Sequence, residues 1–340
     1  MTTAVIFTGV NAVEIVDQPD PTPGPGEFVV SAHISLISPG TEGICLGRLF
    51  DPGTHWDAWV RYPFAPGYSL VGTVTETGAG VTRVRPGDRV AVRKPHASQV
   101  LVTEKDDVYP VPPAVSDEDA AWFHLATIAQ VGVRRAAHRL GDRVAVVGLG
   151  PVGQLAVRYA RLGGADDVFA VDPVGSRVDA ALAGGATAGF VAPVAEAVAA
   201  IRDSTGGRGV DVVYDVTGAA AVFSCALGAL TRFGRLVLLG DTGRPAEQRL
   251  SKEVIVEGLT VVGAHDMHGE FTATDQAPWN NLRMGELFLR YVERGDMTVG
   301  DLVTHRVPAA EAARAYDLVT GRDPSAMGII LDWTPDSSGR

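Results

Sequence analysis

The sequence predicts an α/β protein in two parts: a small β-barrel, then a doubly wound parallel sheet of six strands. Three observations carry that prediction. Residues 1 to about 115 are short β-branched runs punctuated by Gly/Pro turns. From Arg143 onward strands and helices alternate, the grammar of βαβ units. The first strand of that second part runs directly into Gly148-Leu-Gly-Pro-Val-Gly153 and a helical pattern. With 340 residues, 46% of them hydrophobic, the chain can bury two cores.

In the first part, Ala4–Thr8 and Ala12–Val16 read as strands, followed by the turn cluster Asp20-Pro-Thr-Pro-Gly-Pro-Gly26. Phe28–Ile37 is a longer strand that ends at Ser38-Pro-Gly-Thr-Glu42, and a loop follows with His55, Trp56, Trp59, Tyr62 and Phe64. Strands resume at Tyr68–Thr77, Thr82–Val84, Arg89–Val92 and Gln99–Val102. Ser116 followed by three acidic residues marks a helix start, and that helix runs through Trp122, His124 and Thr127 toward Arg135. In the second part the strands are the run from Arg143, Val168–Asp172, Phe190-Val191, Val210–Asp215, Arg235–Leu239 and Leu259–Gly263. Helices over Arg177–Ala183, Val194–Asp203 and Ala219–Leu230 separate them. After about residue 270 the alternation stops; helices Asn281–Glu293 and Ala309–Val319 and a last strand Gly328–Trp333 are expected to return to the first domain. The expected domains are therefore 1–122, 123–270 and a return over 271–340.

The glycines of Gly148-x-Gly150-x-x-Gly153 suit a dinucleotide. The first allows the turn, the second lets the backbone approach a pyrophosphate, and the third lets helix and strand pack closely. Val152, Leu155, Ala156, Tyr159 and Ala160 recur on one helical face, so a helix N-terminus points at the phosphates. A tight strand-to-helix turn explains a bare glycine triplet equally well; Asp172, whose alternative is a strand-end cap, tips the balance. It ends the second strand 19 residues after Gly153 (172 − 153 = 19), the spacing of a ribose-binding carboxylate. A 2′-phosphate about 4 Å from it meets a repulsion of about 1–4 kcal/mol, so the cofactor is expected to be NAD rather than NADP. Arg177 partly offsets that preference or binds the ribose itself.

Composition narrows the partners. With 29 basic and 40 acidic residues the formal charge is −11, which argues against nucleic acid or an anionic membrane surface. The only cysteines, Cys45 and Cys225, suggest a reduced cytoplasmic setting, and no apolar run approaches the roughly 18 residues of a membrane span.

Several further segments carry a family likeness: Pro66-Gly67, Val71-Gly-Thr-Val74, Arg85-Pro-Gly-Asp-Arg-Val90, His96-Ala-Ser-Gln-Val100, Val212-Val-Tyr-Asp-Val-Thr-Gly218 and Gly234-Arg-Leu-Val-Leu-Leu-Gly240. In this order around Gly148–Gly153 they resemble the medium-chain alcohol dehydrogenase/reductase superfamily over nearly the whole chain. The resemblance implies a GroES-like catalytic barrel, a Rossmann domain for the cofactor and a homodimer built through Leu259–Gly263. It implies a cofactor site of Gly148, Gly150, Pro151, Val152, Gly153, Asp172, Arg177, Thr217, Gly240 and His265. His268 reads as a solvent-facing loop residue, and His96 as the holder of a structural hydrogen bond.

The chain departs from zinc-dependent members of that family. Their three catalytic-zinc positions fall here on Pro39, Tyr68 and His124. Proline offers no ligand atom and a phenol of pKa about 10 is a poor neutral-pH ligand. A catalytic zinc wants three protein ligands, so none is expected, and two cysteines cannot make a four-cysteine structural site. Cys45, near the first position, reads as a small buried loop residue.

The segment Ile37-Ser-Pro-Gly-Thr-Glu42 with Pro66-Gly-Tyr68 most resembles a subgroup that includes bacteriochlorophyllide hydroxyethyl dehydrogenases. Hydrogen-bond donors can replace part of a metal's work at a substrate oxygen. Tyr68 is expected to donate to a carbonyl and His124 to take an alcohol proton. Thr41 matches the family's proton-relaying hydroxyl, and Glu42 stands for the Asp after it. The alternative is that Tyr68 and His124 are polar residues packed into a vacated metal pocket. His55, Trp56, Trp59, Tyr62, Phe64, Trp122 and Trp279 either line a broad aromatic pocket or pack a lid.

Three functions remain open from sequence. One is a zinc-independent, NAD-linked oxidoreductase of a secondary alcohol or ketone in a bulky or cyclic small molecule. The second is an NADPH-dependent enoyl- or quinone-type C=C reductase. The third is a catalytically silent cofactor-binding protein.

Overall fold

The computed structural model describes residues 1–269, 274 and 278–334. The chain divides into two compact units, Met1–His124 with Asn281–Arg340, and Leu125–Asn280. The crossing expected at 270/271 lies outside the described residues.

The first unit opens with β1 (Thr2–Gly9), β2 (Ala12–Gln18) and β3 (Glu27–Ile37), then α1 (Pro39–Gly47) and α2 (His55–Trp59). It continues with β4 (Leu70–Thr77), β5 (Arg89–Val92), β6 (Gln99–Thr103), β7 (Val108–Pro110) and α3 (Asp117–Ala120). Helix α4 (Phe123–Ala136) leads into the second unit. There follow β8 (Val144–Val147), α5 (Pro151–Leu162), β9 (Val168–Asp172), α6 (Gly175–Ala183), β10 (Ala188–Val191), α7 (Val194–Ser204) and β11 (Val210–Asp215). The unit ends with α8 (Ala220–Leu227), β12 (Leu230–Leu238), α9 (Lys252–Val256) and β13 (Thr260–Gly263). The chain then returns to the first unit through α10 (Asn281–Glu293), β14 (Val303–Pro308), α11 (Ala312–Thr320) and β15 (Gly328–Asp332).

Strand periodicity builds the first unit. Its mixed sheet has the order β14-β15-β3-β4-β5-β7, with β6 paired to β3, and β1 and β2 form a separate ribbon. The ribbon is tied to the rest by Val5 N–H to the His96 carbonyl (3.0 Å) and by mutual bonds between Phe7 and Phe64. Alternate residues of β1 face opposite ways, as a pleated strand requires. Ala4 joins a core of Phe28, Val30, Leu70, Val74, Val90, Val92, Val100 and Val102, enclosed by strands. Val5 and Phe7 join Ile37, Cys45, Leu46, Trp56 and Tyr316 beneath the helices.

The second unit is a six-stranded parallel sheet in the order β10-β9-β8-β11-β12-β13. Its strand order reverses between β8 and β11, so ligands are expected beyond the carboxyl ends of those strands. β8 and β9 are buried along their whole length, whereas β13 at the edge is largely exposed. That contrast explains the continuous apolar runs of the central strands.

Several elements differ from the sequence reading. Thr82–Val84 is not a strand: the Thr82 N–H is taken by the Glu104 carboxylate (3.0 Å) and Arg83 binds two carbonyls of the 104–106 turn, leaving no ladder. The segment after Ile37 is helical; glycines at 40, 43 and 47 hid α1, while Pro39 at its first turn favours it. The helix expected from Ser116 to Arg135 is two, α3 and α4, broken at Ala121-Trp122. The helix expected to reach Leu230 stops at Leu227, because Leu230 already pairs with Val210 in the sheet. Helix α5 is buried all round from Gly153 to Ala160, not on one face, because α6 packs on it as well as the sheet.

Gly72 shows how tightly the first sheet is drawn. A Cβ there would lie 2.1 Å from the Ser31 carbonyl oxygen in the neighbouring strand. Backbone cannot step aside without losing the ladder, so Gly72→Ala is expected to cost roughly 3 kcal/mol in denaturant unfolding. Gly263→Ala, with open space around its Cα, should be within about 0.5 kcal/mol of the unaltered chain.

Candidate active site

Glycine chemistry shapes the loop after β8. Gly148 sits at φ +88°, and a Cβ there would lie 2.6 Å from the Thr217 methyl. Gly153 carries no left-handed strain, but a Cβ on it would sit 2.0 Å from the Gly148 carbonyl oxygen. Gly150 has open space around its Cα and is the N-cap of α5, with Pro151 in the first turn. Gly150, Pro151 and Val152 are half-buried, so the amino end of α5 is reachable and has free backbone donors.

Asp172 at the end of β9 closes on this loop. One carboxylate oxygen accepts the Leu149 N–H (2.8 Å) and the other the Val174 N–H (2.9 Å). The carboxylate therefore serves as a strand-end cap and stands directly beside the glycine turn. Each oxygen keeps a second lone pair for a ligand hydroxyl. Arg177, half-buried in α6, gives its carbonyl to Gln154 Nε2 (2.7 Å), whose side chain also reaches the Leu149 carbonyl (3.1 Å). Arg158, one turn on, donates to the Gln154 carbonyl and side-chain oxygen. Gln154 and Arg158 are buried polar residues that sequence reasoning did not single out. Their spacing i, i+4 within the otherwise apolar stretch Val152–Ala160, Tyr159 aside, was the available signal.

The neighbouring strand ends are equally constrained. Asp215 Oδ1 accepts both the backbone N–H (2.9 Å) and the hydroxyl (2.7 Å) of Thr217. Burial raises the Asp215 carboxyl above the ordinary range, against the pull of Thr217. This turn holds the Thr217 methyl over Gly148. Gly240, at the end of the next strand, comes so close that a Cβ would lie 2.4 Å from Gly218 N. The turn after β11 thus packs against Gly148 on one side and Gly240 on the other, beyond the carboxyl ends of β8, β11 and β12.

His265 follows β13. Its Nδ1 lies 2.9 Å from Asp266 and its Nε2 3.4 Å from Asp241. The hydrogen bond to Asp241, then that to Asp266, raise its pKa to about 10. Met267 N–H also points at Nδ1 (3.2 Å), but a doubly protonated ring has no lone pair to accept it. His268 is one turn away and its ring accepts the His265 N–H (3.3 Å).

In the first unit Tyr68 and His124 meet edge to face, ring centroids 4.8 Å apart at 67°. The phenol oxygen and His124 Nε2 are both shielded from solvent. Their meeting is built by Ser69, whose hydroxyl donates to the Ala121 carbonyl, three residues before His124. Pro39 and Thr41 lie in the first turn of α1, Thr41 half-buried.

Glu42 is held by three donors. Its Oε1 accepts the Ser38 N–H (2.8 Å), and its Oε2 accepts from His96 Nε2 (3.1 Å) and the Tyr316 hydroxyl. Burial, with that carboxylate beside it, holds the Tyr316 phenol well above its ordinary range. His96 Nδ1 is 2.8 Å from Ser35 Oγ, which also accepts Trp333 Nε1–H (2.8 Å). Ser35, His96 and Glu42 have the connectivity of a nucleophilic triad. Ser35 is fully buried and capped by Trp333, so the arrangement is a brace and not a nucleophile.

The aromatic segment, expected as a loop, is helical over His55–Trp59 because the Thr54 hydroxyl caps its start at the Asp57 N–H, and it packs within the first unit. Trp56 is buried, Trp59 is 51% exposed, and Phe64 meets Trp59 edge to face at 5.3 Å. Trp122 is core, with its ring against Gly328. In the other unit Arg134 stacks on Trp279 at 3.6 Å.

His265 yields a pH prediction. Its folded pKa lies above the ordinary histidine value of about 6.5, so its pairing stabilises the fold fully below about 6.5 and loses effect as pH rises through about 10. An NMR titration of the ring protons is expected to show no deprotonation by pH 8, and Asp241→Asn should bring the midpoint down. A midpoint near 6.5 in the unaltered chain would refute the double carboxylate clamp.

Comparison with known proteins agrees with this architecture. The family model described as zinc-binding dehydrogenase matches residues 151–276, and that described as alcohol dehydrogenase GroES-like domain matches residues 33–112. The 2-desacetyl-2-hydroxyethyl bacteriochlorophyllide A dehydrogenase of Rhodobacter capsulatus is 29% identical over 98% of both chains. A structure described as a zinc-binding dehydrogenase of Sinorhizobium meliloti 1021, bound to NADP, superposes with TM-score 0.80 at 21% identity, covering 98% of this chain and 99% of that one. A short chain alcohol dehydrogenase of E. coli CFT073 in complex with NADH gives TM-score 0.79 at 18% identity, covering 97% and 99%. With a GroES-like unit, a parallel six-stranded unit and both family models in sequence order, the chain belongs to the medium-chain, alcohol dehydrogenase-like dehydrogenase/reductase superfamily.

Proposed function

We propose that the chain is an NAD-dependent oxidoreductase that interconverts a secondary alcohol and a ketone on a bulky or cyclic small molecule, without zinc. The observation that carries this reading is the Tyr68–His124 pair, a phenol O–H donor and an imidazole brought to 4.8 Å at two family metal positions. The third position, Pro39, has no donor atom, so one imidazole and one phenol are the donor set on offer. That set does not fit a zinc ion, which wants three protein ligands and prefers thiolate, imidazole or carboxylate.

The second unit suits the cofactor. The open space at Gly150, the reachable α5 amino end and the Asp172 carboxylate beside the loop match the needs of a pyrophosphate and a ribose diol. Thr217, Gly240 and His265 border the same crevice edge, His265 as a fixed cation. When bound, NAD supplies or accepts the hydride. Tyr68 donates a hydrogen bond to the substrate oxygen where negative charge develops. His124 receives the alcohol proton and returns it in the reverse direction, and the Thr41 hydroxyl passes that proton onward. Glu42 acts behind them. Half-exposed Trp59, braced by Phe64, offers a flat apolar surface to a large ring.

The exposed edge of β13, with Val261, Ile255, Val256 and Phe233 uncovered nearby, supports a homodimer formed through that strand. Two free cysteines fit a reduced cytoplasmic setting. Among the described residues no helix is long and apolar enough to cross a membrane.

Asp172→Ala is expected to weaken NADH binding about tenfold and to narrow the gap to NADPH, read by fluorescence titration; it removes both a ribose acceptor and the Leu149 clamp. An unchanged preference would show that Asp172 only caps its strand. For chemistry, Tyr68→Phe and His124→Ala should each lower turnover of cyclic secondary alcohols about a hundredfold while leaving NADH affinity alone. Prior treatment of the unaltered chain with a strong chelator should leave that turnover undiminished. Turnover of enones with NADPH in place of alcohols would favour a C=C reductase, and cofactor binding with no turnover a silent binding protein.

A further inference from the structure

We propose that Tyr316, Glu42, His96 and Ser35 form a buried positioning relay that fixes Tyr68, an inference that rests on Tyr68 being the hydrogen-bond donor described above. The relay draws on segments far apart in sequence: β3 (Ser35), α1 (Glu42), the loop before β6 (His96), α11 (Tyr316) and the chain after β15 (Trp333). Ser35, Glu42, His96 and Tyr316 are each at most 1% exposed.

Donors and acceptors close in one direction. A carboxylate only accepts, so His96 carries its proton on Nε2 toward Glu42, and the Tyr316 hydroxyl donates to the same oxygen. His96 Nδ1 pairs with the Ser35 hydroxyl, and Ser35 also accepts Trp333 Nε1–H. Glu42 Oε1 takes the Ser38 N–H, which fixes the start of α1.

His96 transmits this order to Tyr68. Its backbone N–H donates to the Pro66 carbonyl (2.9 Å), and its ring lies flat on Gly67. A Cβ on Gly67, at φ +95°, would be 2.6 Å from the imidazole. The Pro66–Gly67 peptide just before Tyr68 is thus held by the backbone and the ring of one residue. On the other side Ser69 is held by Ala121, and its carbonyl takes the Leu36 N–H (2.9 Å). Between these two clamps Tyr68 has one backbone path. The Pro66-Gly-Tyr68 and His96 motifs therefore work as a single device: glycine because a histidine ring covers it, histidine because both its nitrogens are used.

Tyr316→Phe, which removes one oxygen atom, and His96→Gln test the relay in the full chain. Two readouts are taken: the 13C-labelled tyrosine resonance of Tyr68, assigned with Tyr68→Phe, and kinetics with NAD and a panel of cyclic secondary alcohols such as cyclohexanol. The expected result is a shifted or broadened Tyr68 signal and a kcat lowered about tenfold or more, with the NAD KM changed less than about twofold. An unmoved Tyr68 signal in both folded variants overturns the relay whatever the kinetics. A moved signal with full kcat, where Tyr68→Phe is itself inactive, also overturns the positioning role. If Tyr68→Phe keeps full kcat while the signal moves in the relay variants, the relay stands and the donor role of Tyr68 falls. Should His96→Gln not fold, Tyr316→Phe carries the test alone.

Discussion

The first unit depends on one buried carboxylate. Glu42 lies almost wholly out of water, where an ionised carboxylate is costly unless its oxygens are filled. Three donors fill them, and each comes from a different part of the chain: Ser38 at the start of α1, His96 before β6, and Tyr316 in α11. Because those segments must all arrive for the charge to be tolerated, the residue enforces the return of residues 281–334 to the N-terminal strands. Apolar packing of Phe7, Ile37, Cys45 and Tyr316 supplies the driving force. The carboxylate supplies the register.

In the second unit the constraint is steric. Gly153 and Gly148 come within what a single Cβ would forbid, Thr217 crowds the same turn from the adjoining strand, and Gly240 in turn crowds Val216 and Gly218. The loop can follow that path only because side chains are absent where backbones converge. Polar side chains then hold it: Asp172 from one side, Gln154 from beneath, Asp215 through Thr217 from the next strand. A loop braced this way presents N–H groups without having to order them at the moment a phosphate arrives, which is the value of preorganisation.

Glu42 has one methylene more than an aspartate would. The extra reach takes that carboxylate to His96 and Tyr316. Glu42, His96 and Tyr316 thereby form a buried hydrogen-bond frame within the first unit.

Sequence alone determined the fold class, the six-strand alternation, the glycine turn and the position of Asp172, because periodicity and glycine spacing are local properties of the chain. It also marked Tyr68 and His124 through a motif. It missed α1, whose three glycines read as loop and whose helical state is secured by Ser38–Glu42 contact and tertiary packing. It placed Glu42 among the reacting groups and left His96 with a nameless structural bond; only the tertiary structure joined them. Ser35, Tyr316 and Trp333 carried no signal, being ordinary residues in ordinary elements. Partners separated by 54 and 274 positions, as in His96–Glu42 and Tyr316–Glu42, leave no trace in a local pattern. Which donor satisfies a buried charge is decided by where the chain returns in space.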